Sequence, residues 1–98
     1  MPRWTVYLLE CGDGSLYTGV AIDVARRLEE HNRGAGARYT RGRGPLRVVA
    51  TSRPLAKRAA FRLEYQVKQL RPRDKPAAVR DTHRGSRGAT RKKKSGVM

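Results

Sequence analysis

Five residues of this chain carry side chains able to move protons or hold anionic oxygen, and their spacing lets them meet. Tyr7 and Tyr17 lie in VYLLECGDGSLYTGV (residues 6–20), Arg27 and His31 are four apart, and Glu64 falls in the row Ala60, Glu64, Val67. An imidazole titrates near neutral pH, and a guanidinium grips anionic oxygen with a planar fork of donors. A carboxylate accepts protons or binds a hard cation. Each residue also has an ordinary role. Strand tyrosines commonly pack with a wet hydroxyl, Arg27 and His31 read as a solvated helix face, and Glu64 with Lys68 reads as an i,i+4 ion pair.

The elements that must position these groups follow from pattern. WTVYLLE (4–10) and SLYTGV (15–20) are rich in β-branched and aromatic residues, and the intervening CGDG supplies a hairpin turn. Gly19 suits a bulge in the second strand. Asp23 stands as an N-cap before VARRLEEHN, which Asn32 and Gly34 close. Arg27 and His31 then share one helical face. Residues 33–44, rich in Arg and Gly without apolar period, read as a flexible cationic loop. PLRVVATS from Pro45 resumes a strand, and from Pro54 the spacing of Leu55, Ala59, Leu63, Val67 and Leu70 predicts a helix ending near Arg71 and Pro72. A short helix is expected over RDKPAAVRD. The fold class is α+β: β-β-α-β-α, with a three-stranded antiparallel sheet flanked by helices over residues 1–81. Residues 82–98 read as a disordered basic tail, since they lack the apolar side chains to offset ordering.

The chain's 98 residues allow one domain and one modest core. Lys and Arg number 23 against 8 Asp and Glu, a formal charge of +15. Such a surface is drawn to a polyanion, foremost nucleic acid, whose counterions it releases. No stretch resembles a membrane span or signal peptide, so a soluble, cytoplasmic protein with no membrane partner is expected. The single Cys11 permits no intrachain disulfide and reads as a small apolar filler.

The residues, taken in order, resemble the GIY-YIG nuclease domain. Its first tripeptide corresponds to Val6-Tyr7-Leu8 and its second to Tyr17-Thr18-Gly19; RRLEEHN matches its Arg-x-x-x-His helix and Glu64 in RLEYQVK its acidic position. The likeness runs over about residues 3–80. GARYTRGRGPL is similar to the loop of the small stand-alone bacterial branch and of nucleases that cut branched DNA, and the GIY-YIG domain of the excinuclease is also similar. Val6 replaces the first motif's glycine, Thr18 an apolar residue, and no Asn follows the acidic position, Asn32 being the only one present.

The resemblance implies an endonuclease that hydrolyses DNA phosphodiester bonds with one Mg²⁺ or Mn²⁺ held by Glu64 and no small-molecule cofactor. Arg27 would bind the phosphate. Tyr7, Tyr17 and His31 are all candidates for the base, because an unperturbed phenol is mostly protonated at neutral pH. Arg33, Arg38, Arg41 and Arg43 of the loop, with Lys92, Lys93 and Lys94 of the tail, would contact nucleic acid. With little apparatus for reading bases, a structure-selective or non-specific enzyme is implied, acting on branched, nicked or single-stranded DNA in repair or recombination. Association with the nucleoid is consistent with that role. The alternatives are a non-catalytic nucleic-acid-binding protein on the same scaffold, and a ribosome-associated basic protein. Metal-dependent cleavage separates the first alternative from the enzyme.

Overall fold

Alternating apolar residues and a tight turn form the central hairpin of the computed structural model, which describes residues 2–84. Strand β1 (Thr5–Glu10) pairs antiparallel with β2 (Leu16–Ala21), setting Tyr7 opposite Gly19 and Leu9 opposite Tyr17. Gly14 takes the positive φ of 87° that the turn requires. Strand β3 (Arg47–Thr51) adds to the other side of β1, giving the order β2-β1-β3. A register shift there turns Val49 and Ala50 toward one face and Val48 toward the other.

Helix α1 (Val24–Asn32) starts where the Asp23 carboxylate accepts the Arg26 N–H at 3.1 Å. Its last residue, Asn32, accepts the Leu46 N–H at 3.1 Å through Oδ1, tying the helix end to the approach to β3. Helix α2 (Lys57–Lys68) begins three residues later than the Pro54 start expected from sequence. Leu55 is held outside it by a bridge to Trp4, and the buried row is Ala60 and Val67, with Ala59 and Leu70 exposed. The short helix appears as α3 (Lys75–Arg80).

The two sides of the sheet are covered differently. Val6, Leu8 and Ala50 pack against Ala60 and Val67 of α2 and Val79 of α3. Tyr7, Leu9, Ala21 and Tyr17 face Val24 and Leu28 of α1. The architecture is therefore α+β, with a three-stranded antiparallel sheet between α1 and the α2–α3 layer. No helix among the described residues is long and apolar enough to cross a membrane.

Two further expectations change. Residues 82–84 continue the fold in a 3₁₀ turn: Thr82 Oγ1 accepts the Arg53 N–H at 2.9 Å, and His83 Nε2 lies 2.8 Å from the Thr51 carbonyl. The boundary drawn at residue 82 thus falls inside the packed chain, while Lys92, Lys93 and Lys94 lie outside the described residues. The loop at 33–44 is not a free cationic strand either. Thr40 is buried, Tyr39 stacks on Tyr17, and Arg43 reaches Asp13 in the hairpin turn at 2.6 Å.

Candidate active site at the edge of the sheet

The period of two in β1 turns Tyr7 toward α1, where it is 1% exposed, and its register sets it across Gly19. A Cβ at Gly19 would collide with the Tyr7 hydroxyl and approach Tyr17 Cε2 to 3.0 Å. The glycine therefore lets the phenol lie over β2, whose far side is the free edge of the sheet. This close approach, rather than a bulge, explains the residue.

One turn of α1 beyond Arg27, His31 is 2% exposed and meets the Tyr7 hydroxyl through Nε2 at 2.9 Å. Its Nδ1 lies 2.8 Å from Thr40 Oγ1, which is itself 2.8 Å from the Ala37 carbonyl. The proton count assigns the tautomer. A carbonyl cannot donate, so the Thr40 hydroxyl gives its proton to Ala37; the Ala37 N–H also approaches Nδ1, but at 3.4 Å, and the two 2.8 Å contacts outweigh it and give the proton between Nδ1 and Oγ1 to His31. Nε2 is left with a lone pair facing Tyr7. Gly36 makes the crossing of this loop feasible, since a Cβ there would strike the imidazole.

Electrostatics keeps this pair neutral. Burial, the Tyr17 hydroxyl and Glu64 push the Tyr7 phenol up to about 12, against the opposing pull of the Arg27 guanidinium. Burial and Arg27 hold His31 below the ordinary imidazole range. The Tyr7 hydroxyl is thus a donor to a neutral imidazole.

Tyr17 closes the cluster, its ring centroid 5.2 Å from that of His31 and 6.3 Å from that of Tyr7. Tyr39 stacks on its outer side at 5.9 Å, and the Arg43 guanidinium lies 4.3 Å from the Tyr39 centroid. Arg27 is part-exposed, with Nη1 paired to Glu30 Oε1 at 2.7 Å. Glu64 arrives from the opposite layer: α2 covers the other face of the sheet, so the five residues do not share one face as the sequence suggested. Tyr7, Tyr17 and His31 meet on the α1 side, and Arg27 and Glu64 are near enough to act on the Tyr7 phenol electrostatically. A groove beside β2 is lined by Leu16, Tyr17, Thr18, Tyr39, Lys68 and Lys75, and Lys68 Nζ lies 3.2 Å from Glu64 Oε2.

Four residues of this neighbourhood are not among the site residues expected from sequence. Tyr39 and Thr40 sit in a stretch without apolar period, and their role appears only when the loop folds back on α1. Lys68 and Lys75 read as ordinary surface cations. Lys75 Nζ in fact donates to the Val67 carbonyl at 2.8 Å at the end of α2, and burial with Lys68 nearby lowers its pKa. Of the loop arginines, Arg33, Arg38 and Arg41 are exposed or part-exposed, whereas Arg43 is engaged by Asp13 and Tyr39 and serves the fold first.

A cation would find one carboxylate here. Among the described residues no three His, Cys, Asp or Glu side chains gather into a cage. Glu64 alone suits a hard ion that takes most of its oxygen ligands from water and a substrate phosphate, as Mg²⁺ does, and does not suit a closed structural site.

Comparison with known proteins identifies the family. The model of the GIY-YIG catalytic domain matches residues 3–76. The chain is 55% identical over 74 residues to UPF0213 protein BH0048 of Halalkalibacterium halodurans, covering 76% of this chain and 79% of that protein. It is 50% identical over 72 residues to a UPF0213 protein of Halobacterium salinarum, covering 74% and 94%. The solution NMR structure of UPF0213 protein BH0048 from Bacillus halodurans is similar at 54% identity, with a TM-score of 0.47 over 74% of this chain and 78% of that one. With its hairpin tyrosines, its Arg and His helix and most of its length matched, the chain belongs to the GIY-YIG family of nuclease domains, among relatives of the UPF0213 group.

Proposed function

We propose that this protein is a metal-dependent endonuclease that hydrolyses DNA phosphodiester bonds at the β2 edge, choosing substrates by backbone and shape. The observation that carries the reading is the 2.9 Å contact between the Tyr7 hydroxyl and Nε2 of the buried His31, whose pKa burial holds below the ordinary range. A phenol with a pKa of about 12 is no standing phenolate at neutral pH. It can still act as a relay: as Tyr7 Oη takes a proton from the attacking water, its own proton passes to His31 Nε2. The water oxygen bonds to phosphorus and the P–O bond to the leaving oxygen breaks. Arg27 neutralises charge gathering on the phosphoryl oxygens. Glu64 would hold the divalent ion, which when bound polarises the phosphoryl group. Branched, nicked or single-stranded DNA is the favoured substrate, with repair or recombination the setting.

The test is a panel of labelled duplex, single-stranded, flap and junction DNAs incubated with Mg²⁺, with Mn²⁺ and with chelator. Cleavage should require metal. Glu64→Gln should abolish it while DNA binding survives, and Arg27→Ala should slow it by about 10² or more with little change in binding. One observation favours a non-catalytic DNA-binding protein instead: the Glu64 carboxylate is already paired with Lys68. DNA binding without cleavage of any panel member under either metal would select that reading.

A further inference from the structure

The outer face of α2 exposes aromatic rings that the core could have used. Phe61 is 43% exposed and Tyr65 68% exposed, and at i,i+4 they form one row along the helix. At the head of that row the Trp4 ring lies 5.6 Å from Phe61, and Lys57 Nζ lies 5.5 Å from the Trp4 centroid. Arg58 and Arg62 follow on the adjacent row, both exposed and, among the described residues, neither in an ion pair. Residues 53–63 contain no Asp or Glu.

We propose that this face binds a single-stranded segment of nucleic acid, with bases stacked on Phe61 and Tyr65 and phosphates held by Lys57, Arg58 and Arg62. Rings interleaved with cations are what an unpaired strand needs: every base offers a π-face, and the intervening phosphates offer charge. A second copy of the chain would set these cations against one another. A duplex would satisfy the cations but present no unstacked base to the rings. Glu64 lies between Phe61 and Tyr65 in sequence and pairs with Lys68, which lines the groove beside β2. Binding here is nonetheless independent of cleavage.

Trp4 is the only tryptophan in the chain, so its fluorescence reports on this face directly. The experiment titrates the full-length protein with a thymidine homopolymer and with a mixed-sequence duplex, following Trp4 emission and the anisotropy of labelled DNA. The same titrations are run on Phe61→Ala/Tyr65→Ala, on Arg58→Gln/Arg62→Gln and on Glu64→Gln. Thermal melts verify that each variant is folded. The homopolymer should change Trp4 emission in the unsubstituted and Glu64→Gln proteins alike. Loss of the two rings should weaken homopolymer binding at least about tenfold and leave duplex binding within about twofold. Loss of the two arginines should weaken homopolymer binding and flatten its salt dependence. Equal effects of the ring substitutions on both DNAs, or none on either, would overturn the proposal. So would a concentration-dependent dimer lost in Phe61→Ala/Tyr65→Ala with homopolymer affinity unchanged, which would make the face a self-association surface.

Discussion

At the scale of single residues the site turns on one imidazole held between two hydroxyls. Tyr7, Tyr17 and His31 are readable in sequence because strand parity and the i,i+4 rule place them without help from elsewhere. Thr40 is not, since nothing local distinguishes it from any other threonine in a glycine-rich loop. Burial of His31 has a consequence for stability that does not depend on activity. Its folded pKa lies below the ordinary value near 6.5, so between those two values the unfolded chain binds the proton and the folded chain does not. Stability contributed by the neutral ring is therefore full above about pH 6.5 and lost as pH falls toward the folded pKa, with a limiting slope of about 1.4 kcal/mol per pH unit. Thermal melts between pH 7 and pH 5 should show the unsubstituted protein losing stability faster than His31→Gln. Parallel profiles would mean that the ring is protonated as readily folded as unfolded.

Among the elements, the hairpin and α1 emerge as their patterns dictate, because alternation and an N-cap are local signals. The segment between α1 and β3 does not, because what orders it comes from far along the chain. Tyr39 finds Tyr17, Arg43 finds Asp13, and the Gly12 N–H donates to the Arg43 carbonyl at 2.5 Å. Helix α2 starts later than its apolar spacing predicts for a similar reason: Leu55 pairs with Trp4 through backbone hydrogen bonds of 2.7 Å in both directions and so stays extended. The hairpin turn and the loop thus form one unit, and Gly12 is where they touch. A Cβ at Gly12 would meet the Gly44 carbonyl, which is backbone and cannot swing aside. Gly12→Ala should therefore destabilise by about 1–3 kcal/mol through overpacking. It should also exceed Arg43→Ala, which removes only an exposed ion pair and a ring contact. Denaturant melts of the two variants decide the order, and a larger loss for Arg43→Ala would show that the side chain, not the backbone contact, holds the loop.

For the molecule as a whole, charge and packing make separate demands on the C-terminal end. The formal charge of +15 is readable at once, and so is the basic character of the last residues. That Thr82 and His83 belong to the packed chain is not, since both are polar and reveal their use only by reaching Arg53 and Thr51 on the neighbouring strand and its exit. Two truncations separate the demands. A chain ending at Arg84 keeps both contacts and lacks Arg87, Arg91, Lys92, Lys93 and Lys94; a chain ending at Asp81 loses the contacts as well. The shorter chain should melt lower than the longer one, because the Arg53 N–H loses its acceptor and the Thr51 carbonyl its partner. Each cation that neutralises a duplex phosphate adds about 0.9 to the slope of log K against log salt. If all five engage DNA, ending the chain at Arg84 lowers that slope by about 4 to 5 relative to the full chain. Titrating the full chain and both truncations against one duplex at several salt concentrations measures the difference. An unchanged slope would assign duplex binding to cations of residues 2–84, and equal melting temperatures for the two truncations would show that the contacts of Thr82 and His83 contribute nothing to the fold.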